Sequence, residues 1–318
     1  MTVRHRTLTR EGARIHVELA GPPAPTSQHQ GSGSPPGSGQ RLDSGPARHS
    51  LRDPARPLLL LHGFTGRATV WRPLLPELAA GREVIAPDLL GHGASRVVDP
   101  RAPAAERHRI ERQAADLLAV LDRLGVDRAD VLGYSMGGRL ALYLAVAHPE
   151  RVSALVLESA SPGLEDPRER SARRAQDEAR AAFIERAGIR AFVERWEAQP
   201  LFASQRRLPP EVWRRQRRQR LACRAEGLAA SLRGMGTGVH EPLWSRLPEV
   251  EAPTLLLAGA LDPKFTALAA RMAARLPRAR AEVVPEAGHA VHLEQPGIFA
   301  RHVRAFLDEG RETKDATR

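Results

Sequence analysis

Residues 131–142, "VLGYSMGGRLAL", place glycines on both sides of a serine in the spacing G-x-S-x-G. The run "ADVLG" (129–133) before Ser135 has the composition of a buried strand, and a helical pattern follows the serine. A serine on so sharp a strand-to-helix turn needs small neighbours, because bulkier side chains would clash with the backbone. The stretch therefore predicts a catalytic Ser135 at the carboxyl end of a central strand. An ordinary glycine–serine turn is the alternative.

On both sides of this turn, apolar runs alternate with segments of helical spacing. The alternation predicts an α/β fold, with a mostly parallel sheet and helices on both faces. The predicted strands are an edge strand at 12–20 and further strands within 57–64, 82–93, 129–135, 152–159, 252–262 and 281–289. The predicted helices are residues 106–124, the helix from Ser135 to Pro149, 264–276 and 292–308.

Two segments interrupt the alternation. Residues 22–56 are rich in Gly, Ser and Pro and lack apolar periodicity, which predicts a disordered surface loop. Residues 165–245 hold many arginines and little strand pattern, so we predict a helical lid over the carboxyl ends of the strands. The expected organisation is a core in two parts, 1–164 and 246–310, separated by the lid and followed by a disordered tail at 311–318.

The charge of the chain raises the question of nucleic-acid binding. The 318 residues have a formal charge of +11 and a pI of about 11.1. Among the 48 basic residues only Lys264 and Lys314 are lysines, which indicates a coding bias and not a selected phosphate-binding surface. Aromatic residues make up 4% of the chain, too few for a base-stacking platform. We therefore expect a small-molecule ligand and no nucleic acid.

The apolar segments and the cysteine content of the chain indicate the cellular compartment of the protein. No run of 18 or more apolar residues occurs, so no membrane insertion is expected, and the N-terminal residues lack the apolar stretch of a signal peptide. Cys223 is the only cysteine, which excludes an intramolecular disulfide. These features predict a cytoplasmic protein. They leave the oligomeric state open.

A catalytic serine needs a histidine as its base, and the histidine needs a carboxylate to orient it. Asp262 and His289 each follow a predicted strand, so both are expected at the same edge of the sheet as Ser135, in the chain order Ser…Asp…His. We predict that Ser135, Asp262 and His289 form a catalytic triad. The alternatives are, for the base, His292 and, for the carboxylate, Asp99 and Glu286.

Two backbone N–H groups are expected to form an oxyanion hole. One belongs to Met136, the residue after the serine, and the other to Phe64 in the loop "HGFTG" (62–66) after the first central strand. His62 and His92 are expected to brace their loops.

Arg139 follows Ser135 by one helical turn, on a helix that should pack into the core. Burying a lone cation costs on the order of several kcal/mol, so an anion should meet it. The anion is either a neighbouring Asp or Glu in a structural salt bridge or a carboxylate of the substrate.

The motifs can now be compared with known families. "HGFTG", "PDLLGHGAS" (87–95) and "GYSMGG", with the order of the triad, resemble the α/β-hydrolase superfamily over nearly the whole chain outside 22–56. Within that superfamily, the form G-Y-S-x-G-G-R, the segments 159–174 and 192–204, and "GLAASLRGMGTG" (227–238) resemble the 2-succinyl-6-hydroxy-2,4-cyclohexadiene-1-carboxylate synthases of menaquinone biosynthesis.

This resemblance implies a lyase that removes a proton from 2-succinyl-5-enolpyruvyl-6-hydroxy-3-cyclohexene-1-carboxylate and expels pyruvate. It implies that Ser135 acts as a base, with no cofactor and no metal. Planar guanidinium groups bind carboxylates bidentately, which suits such a substrate. The substrate-binding residues that the resemblance implies are Arg139, Arg173, Arg220, Tyr134 and Trp196, with Arg170 as a second candidate for the role of Arg173.

The sequence departs from the family pattern at two positions, where Cys223 replaces a polar amide and His240 replaces Gln. Without the resemblance, Arg173 and Arg220 would be assigned to the solvated face of an arginine-rich helix. Two other functions stay open: a serine hydrolase of an anionic ester or carbon–carbon bond, and a non-catalytic ligand receptor. The intact Ser135, Asp262 and His289 argue against the receptor.

Overall fold

The structure, a computed structural model, describes residues 2–22, 55–99, 101 and 104–315. Most of the predicted disordered loop at 22–56 and the last three residues of the predicted tail lie outside the described residues. The C-terminal helix extends to Asp315, beyond residue 310, where we expected the core to end.

The centre of the fold is a sheet of nine described strands in the order β1-β2-β4-β3-β6-β7-β8-β9, with the short β5 paired to β2. The strands β4, β3, β6, β7, β8 and β9 run parallel to one another. Strand β1 is antiparallel to β2, and β2 is antiparallel to β4. The strands are β1 (Val3–Arg10), β2 (Ala13–Ala20), β3 (Leu58–Leu61), β4 (Val84–Pro87), β5 (Arg96–Val97), β6 (Ala129–Tyr134), β7 (Val152–Glu158), β8 (Thr254–Gly259) and β9 (Ala279–Val284).

The assignment of 12–20 as the edge strand was wrong. The segment does form β2, but β1 pairs along its full length and takes the edge position. The sequence of β1, "VRHRTLTR", is largely polar and none of its residues is buried, which an edge strand tolerates because one of its sides faces solvent. Its weak apolar alternation is the reason the sequence did not predict it.

Helices cover both faces of the sheet, as predicted. Leucines and valines of β3 and β6 alternate between the two apolar layers, which are the cores under the two sets of helices. One layer contains the helices Ile110–Arg123, Met136–Ala147 and Pro263–Ala273, and the other contains the helices Leu75–Leu78 and Pro296–Asp315. The helices are α1 (Leu75–Leu78), α2 (Ala104–Arg107), α3 (Ile110–Arg123), α4 (Met136–Ala147), α5 (Pro167–Glu197), α6 (Pro210–Leu221), α7 (Ala225–Met235), α8 (Pro263–Ala273), α9 (Val291–Glu294) and α10 (Pro296–Asp315).

Between β7 and β8 the chain forms α5, a 3-10 segment at Pro200–Arg207, α6 and α7, with no strand in residues 159–253, all of which the structure describes. Helix α5 bends at Gly188, whose φ of 79° is accessible to glycine at little cost. These helices pack on one another through a small apolar core of their own, centred on Ile184, Phe192 and Leu228.

The topology brings three loops to one edge of the sheet. Strands β6, β8 and β9 are parallel, so their carboxyl ends lie at the same edge. Ser135 follows β6 directly, Asp262 follows β8, and His289 follows β9. The helices between β7 and β8 line the space above these ends.

Candidate active site

Ser135 occupies a strained turn between β6 and α4. Its φ is 51°, a left-handed value that costs a non-glycine residue about 1–3 kcal/mol and occurs mostly at functional sites. A Cβ on Gly133 would lie 2.4 Å from the Gly137 carbonyl oxygen, and one on Gly137 would lie 2.3 Å from the Leu61 carbonyl oxygen. Both glycines are therefore required by close backbone contact, which is the reason inferred from the sequence.

The three predicted triad residues lie in one hydrogen-bonded line. The Ser135 hydroxyl is 3.0 Å from His289 Nε2, and His289 Nδ1 is 2.8 Å from Asp262 Oδ2. An ionised carboxylate only accepts, so Nδ1 carries the proton and Nε2 is free to accept the serine proton. Asp262 also caps α8, because its side chain accepts from the Phe265 N–H. This cap fixes the carboxylate that orients the imidazole.

The alternative residues are engaged elsewhere. His292 is buried and its Nδ1 lies 2.8 Å from Oε1 of Glu158, which is itself fully buried. Glu286 is exposed, and Asp99 lies at the turn of Gly12, far along the sheet from β8. The structure therefore brings none of these three into contact with Ser135.

The two residues predicted to form the oxyanion hole lie at the start of α4 and in the loop after β3. Met136 begins α4, so its N–H has no acceptor within the helix and points out at the positive end of the helix dipole. Phe64 lies in the loop after β3, and both residues line the same cavity as Ser135. Their role as oxyanion donors stays a prediction.

His62 links the two loops beside the site. Its Nε2 accepts from the Leu89 N–H at 3.0 Å, and its Nδ1 lies 2.8 Å from the Gly63 carbonyl oxygen. Burial lowers the pKa of His62, so the ring is neutral and accepts on one side while it donates on the other. His92 packs against the Phe64 ring at 5.5 Å. These contacts fit the bracing role expected from the sequence.

The cavity above Ser135 has a volume of about 350 Å³. Its charged lining is one-sided: among the described residues that line it are five cations and no Asp or Glu. The cations are Arg139, Arg173, Arg180, Arg220 and Lys264. Such a wall attracts anions and repels cations, and the low dielectric of a partly closed site strengthens the effect.

Arg139 is a buried cation that pairs with no carboxylate of the described residues. It is 9% exposed, and its Nη1 donates to the Met235 carbonyl oxygen at 2.8 Å. No Asp or Glu oxygen of the described residues lies within ion-pairing distance of it. Burial, followed by the nearby charge of Arg173, lowers the pKa of Arg139 to about 10. The structural salt bridge considered from the sequence is therefore absent from the described part of the chain.

Arg173 and Arg220 each reach the cavity but have protein partners as well. Arg173 Nε donates to Asp177 at 2.9 Å. Arg220 is 7% exposed and donates to Glu197 at 3.0 Å and to the side chain of Gln205 at 3.0 Å. The assignment to a solvated helix face does not fit the buried Arg220, whereas Arg173, whose side chain is 36% exposed, faces both the cavity and solvent.

Arg170, the second candidate for the role of Arg173, does not reach the cavity. Its Nη1 donates to the carbonyl oxygens of Leu164 and Glu165, and the residue is not among those that line the cavity. The suggestion that it shares the role of Arg173 was wrong, because one helical turn along α5 carries its side chain back toward the loop that precedes the helix.

Aromatic rings form a further part of the lining, the aromatic wall. Trp196 packs against Phe64 with ring centroids 5.3 Å apart and against Phe202 at 5.4 Å. Tyr134 lies beside His289, with ring centroids 5.5 Å apart, and burial raises the pKa of Tyr134 well above the usual value. Tyr134 therefore stays neutral and offers a hydroxyl and a ring face to a ligand.

The two departures from the family pattern lie behind the cavity wall. Cys223 is buried, its Sγ contacts the Thr65 carbonyl oxygen at 3.5 Å, and burial raises its pKa to about 11, so it is an unreactive thiol. His240 is 5% exposed, and burial together with the charge of Arg139 lowers its pKa to about 4. Neither residue lines the cavity.

Sequence reasoning missed Arg180 and did not assign Lys264 to the site. The signal for Arg180 was available, since Arg173, Asp177 and Arg180 follow the spacing i, i+4, i+7 of one helix face. On a helix with so many arginines, the spacing alone does not show which face is turned to the cavity.

The described residues contain no group of His, Cys, Asp or Glu that could hold a metal ion. No helix in the described part of the chain is long and apolar enough to cross a membrane.

Known proteins share this architecture. The family model of the α/β hydrolase fold matches residues 56–296. A protein of Bacillus subtilis (strain 168), provisionally named a 2-succinyl-6-hydroxy-2,4-cyclohexadiene-1-carboxylate synthase, is 45% identical over 79% of this chain and 89% of its own. The synthase of that name from Pectobacterium atrosepticum is 33% identical over 81% of this chain and 97% of its own.

A solved structure points the same way. MenH from S. aureus has a TM-score of 0.76 and 36% sequence identity, and covers 80% of this chain and 94% of its own. The chain belongs to the α/β-hydrolase family and, within it, to the group that contains these MenH-like proteins.

Proposed function

We propose that the protein is 2-succinyl-6-hydroxy-2,4-cyclohexadiene-1-carboxylate synthase, a lyase of menaquinone biosynthesis. It eliminates pyruvate from 2-succinyl-5-enolpyruvyl-6-hydroxy-3-cyclohexene-1-carboxylate. The names of the curated relatives support this activity. The observation that carries it for this chain is the cavity with a Ser–His–Asp line at its floor and five cations, but no carboxylate, in its described lining.

The charges of the cavity match those of the substrate. Two carboxylates outside the lining, Asp177 and Glu197, pair with lining arginines. The five lining cations exceed these two carboxylates by three charges, and Arg139 and Lys264 have no carboxylate partner among the described residues. Glu197 also pairs with Arg217, which lies outside the lining. The substrate carries three carboxylates, on the ring, the succinyl group and the enolpyruvyl group. A general esterase has no need for such a wall.

In the proposed reaction Ser135 is a base. His289 Nε2 accepts the hydroxyl proton, and the serine oxygen removes the acidic ring proton beside the succinyl ketone. Backbone N–H groups of Phe64 and Met136 stabilise the negative charge that develops on the ketone oxygen. A second ring double bond then forms as the carbon–oxygen bond to the enolpyruvyl group breaks. The departing enolate takes up the proton at carbon and becomes pyruvate, so no water is consumed.

The arginines orient the substrate in this scheme. Arg139, Arg173 and Arg220 hold carboxylates, while Tyr134 and Trp196 contact the ring. Fixing several carboxylates at once places the ring proton near Ser135 and removes much of the entropic part of the barrier. The helices at 165–245 form the lid that excludes water, which protects the diene product and the developing enolate.

Replacing Ser135 by Ala tests the role of the serine. Loss of the base should lower kcat for pyruvate release by about 10³-fold or more, with the substrate still bound. The assay couples pyruvate to lactate dehydrogenase and follows NADH. Near wild-type turnover of Ser135→Ala would exclude a serine base.

Hydrolysis is the second candidate, because the same Ser135–His289 geometry also suits acyl transfer. p-Nitrophenyl acetate separates the two activities. The lyase proposal expects slow release of p-nitrophenol without a burst, whereas a stoichiometric burst shows an acyl-enzyme and supports a hydrolase.

A further inference from the structure

The cavity wall contains a cation to which the proposed reaction gives no role. Arg180 lies on α5 and lines the cavity together with Arg139 and Arg173. Its side chain is 27% exposed, so it is partly withdrawn from solvent. The resemblance to known synthases placed no function on it.

A single buried carboxylate holds Arg173 and Arg180 side by side. Asp177 is 1% exposed. Its Oδ2 accepts from Arg173 Nε at 2.9 Å, and its Oδ1 accepts from Arg180 Nη1 at 2.7 Å. Each arginine thus donates one N–H to Asp177. A guanidinium has five N–H donors, so several on each side chain remain for a ligand.

The cluster has more positive than negative charge. Arg173 and Arg180 together exceed the charge of Asp177 by one. Both Arg173 and Asp177 act on Arg139, since the first lowers and the second raises its pKa. Arg139 adds a further positive charge at the base of the same wall. Arg220, which also lines the cavity, pairs with Glu197 at 3.0 Å, and Glu197 pairs with Arg217 as well.

Arg180 also contacts the aromatic wall. Its guanidinium carbon lies 5.6 Å from the centre of the Trp196 ring, within the range of a cation–π contact. Trp196 in turn packs on Phe64, which provides one of the proposed oxyanion donors. A carboxylate held by Arg180 would therefore lie next to the surface that we assign to the ring of the substrate.

We propose that Arg180 is a further substrate-binding residue, which with Arg173 forms a carboxylate subsite organised by Asp177. The inference rests on the proposed function for the identity of the substrate, and on the geometry of the cluster for its chemistry. Two adjacent guanidinium forks, already aligned by one acceptor, bind a carboxylate at lower entropic cost than two free side chains.

The test compares Arg180→Met with Arg186→Met. Met keeps most of the volume of the arginine stem and removes the charge and the donors. Arg186 is an exposed arginine on the same helix that does not line the cavity, so its replacement changes the net charge equally. The first measurement is kcat and KM for pyruvate release from the pathway intermediate.

Arg180→Met should raise KM about 10- to 100-fold and change kcat by less than about 3-fold, as expected for the loss of a charge-assisted contact with the bound substrate. Arg180→Lys, which keeps the charge without the fork, should give an intermediate KM. Arg186→Met should keep the wild-type KM. Equal KM values for the Arg180→Met and Arg186→Met variants would overturn the proposal.

A second measurement separates this inference from the proposed function. Citrate, a tricarboxylate, is titrated calorimetrically into the wild type and both methionine variants. Weaker citrate binding to Arg180→Met than to Arg186→Met supports the subsite even if the wild type releases no pyruvate, a result that would refute only the lyase. Equal binding to both variants, or none to the wild type, refutes the subsite.

Discussion

Replacing Arg139 by Met should lower the activity of the protein but leave its stability unchanged or raise it. Arg139 is 9% exposed and has only the Met235 carbonyl oxygen as a hydrogen-bond partner among the described residues. The fall of its pKa from 12.5 to about 10 corresponds to about 3 kcal/mol of unfavourable interaction for the charged form in the folded protein. The free protein therefore carries a buried cation that no carboxylate of the described residues pairs with directly.

The expected changes in the free energy of unfolding and in kcat/KM follow from the unpaired charge of Arg139. Removing the cation relieves its desolvation cost but leaves the Met235 carbonyl oxygen unpaired, which costs about 1–3 kcal/mol. The net change in the free energy of unfolding should thus lie between zero and about 2 kcal/mol of stabilisation. For activity, losing one partner of a buried charge pair costs about 2–5 kcal/mol, so kcat/KM should fall by about 30- to 4,000-fold.

The assays are thermal or urea unfolding and the coupled pyruvate assay, with Arg186→Met as the control for loss of one surface charge. The wild type and the control should share both stability and kcat/KM. A clear drop in stability of Arg139→Met with unchanged kcat/KM would refute the reasoning, because it is the result expected of a structural salt bridge.

Two further predictions concern the histidines. Asp262→Asn should lower kcat by about 10³- to 10⁴-fold without unfolding the protein, because an amide no longer selects the tautomer of His289 that leaves Nε2 free; wild-type kcat in steady-state assays would count against the triad. The pKa of His240 is about 4 in the folded protein and 6.5 for the ordinary side chain. As the pH falls, the histidine of the unfolded chain is therefore protonated first, which favours unfolding. The free energy of unfolding should decrease between pH 6.5 and pH 4 by up to about 3 kcal/mol. His240→Gln should therefore lose less stability than the wild type in urea titrations over that range, and equal losses would show that His240 does not titrate there.

The sequence predicted the parts of the molecule that follow from chain order and periodicity. Ser135, Asp262 and His289 each follow a strand of a parallel sheet, so their approach at one edge required no knowledge of side-chain contacts. The glycines around Ser135 could likewise be understood from the geometry of the turn. Strand β1 was missed because an exposed edge strand needs no apolar alternation.

Side-chain partnerships on the arginine-rich helices were beyond sequence reasoning. Arg170, Arg173 and Arg180 are all on α5, and only the rotation of the helix decides that the last two reach the cavity while the first binds the carbonyl oxygens of the preceding loop. The pairing of Arg220 with Glu197 depends on the distance between α5 and α6, which no motif encodes. A local sequence pattern predicts which residues share one face of a helix, whereas contacts between two helices depend on how the helices pack.

The most direct test of the central claim is to supply the purified protein with 2-succinyl-5-enolpyruvyl-6-hydroxy-3-cyclohexene-1-carboxylate and identify both products by mass spectrometry. Elimination by a serine base predicts one pyruvate for each cyclohexadiene, with no oxygen from labelled water in the ring product and with activity lost in Ser135→Ala. A ring product that is heavier by one water, or pyruvate release that survives in Ser135→Ala, would contradict the account.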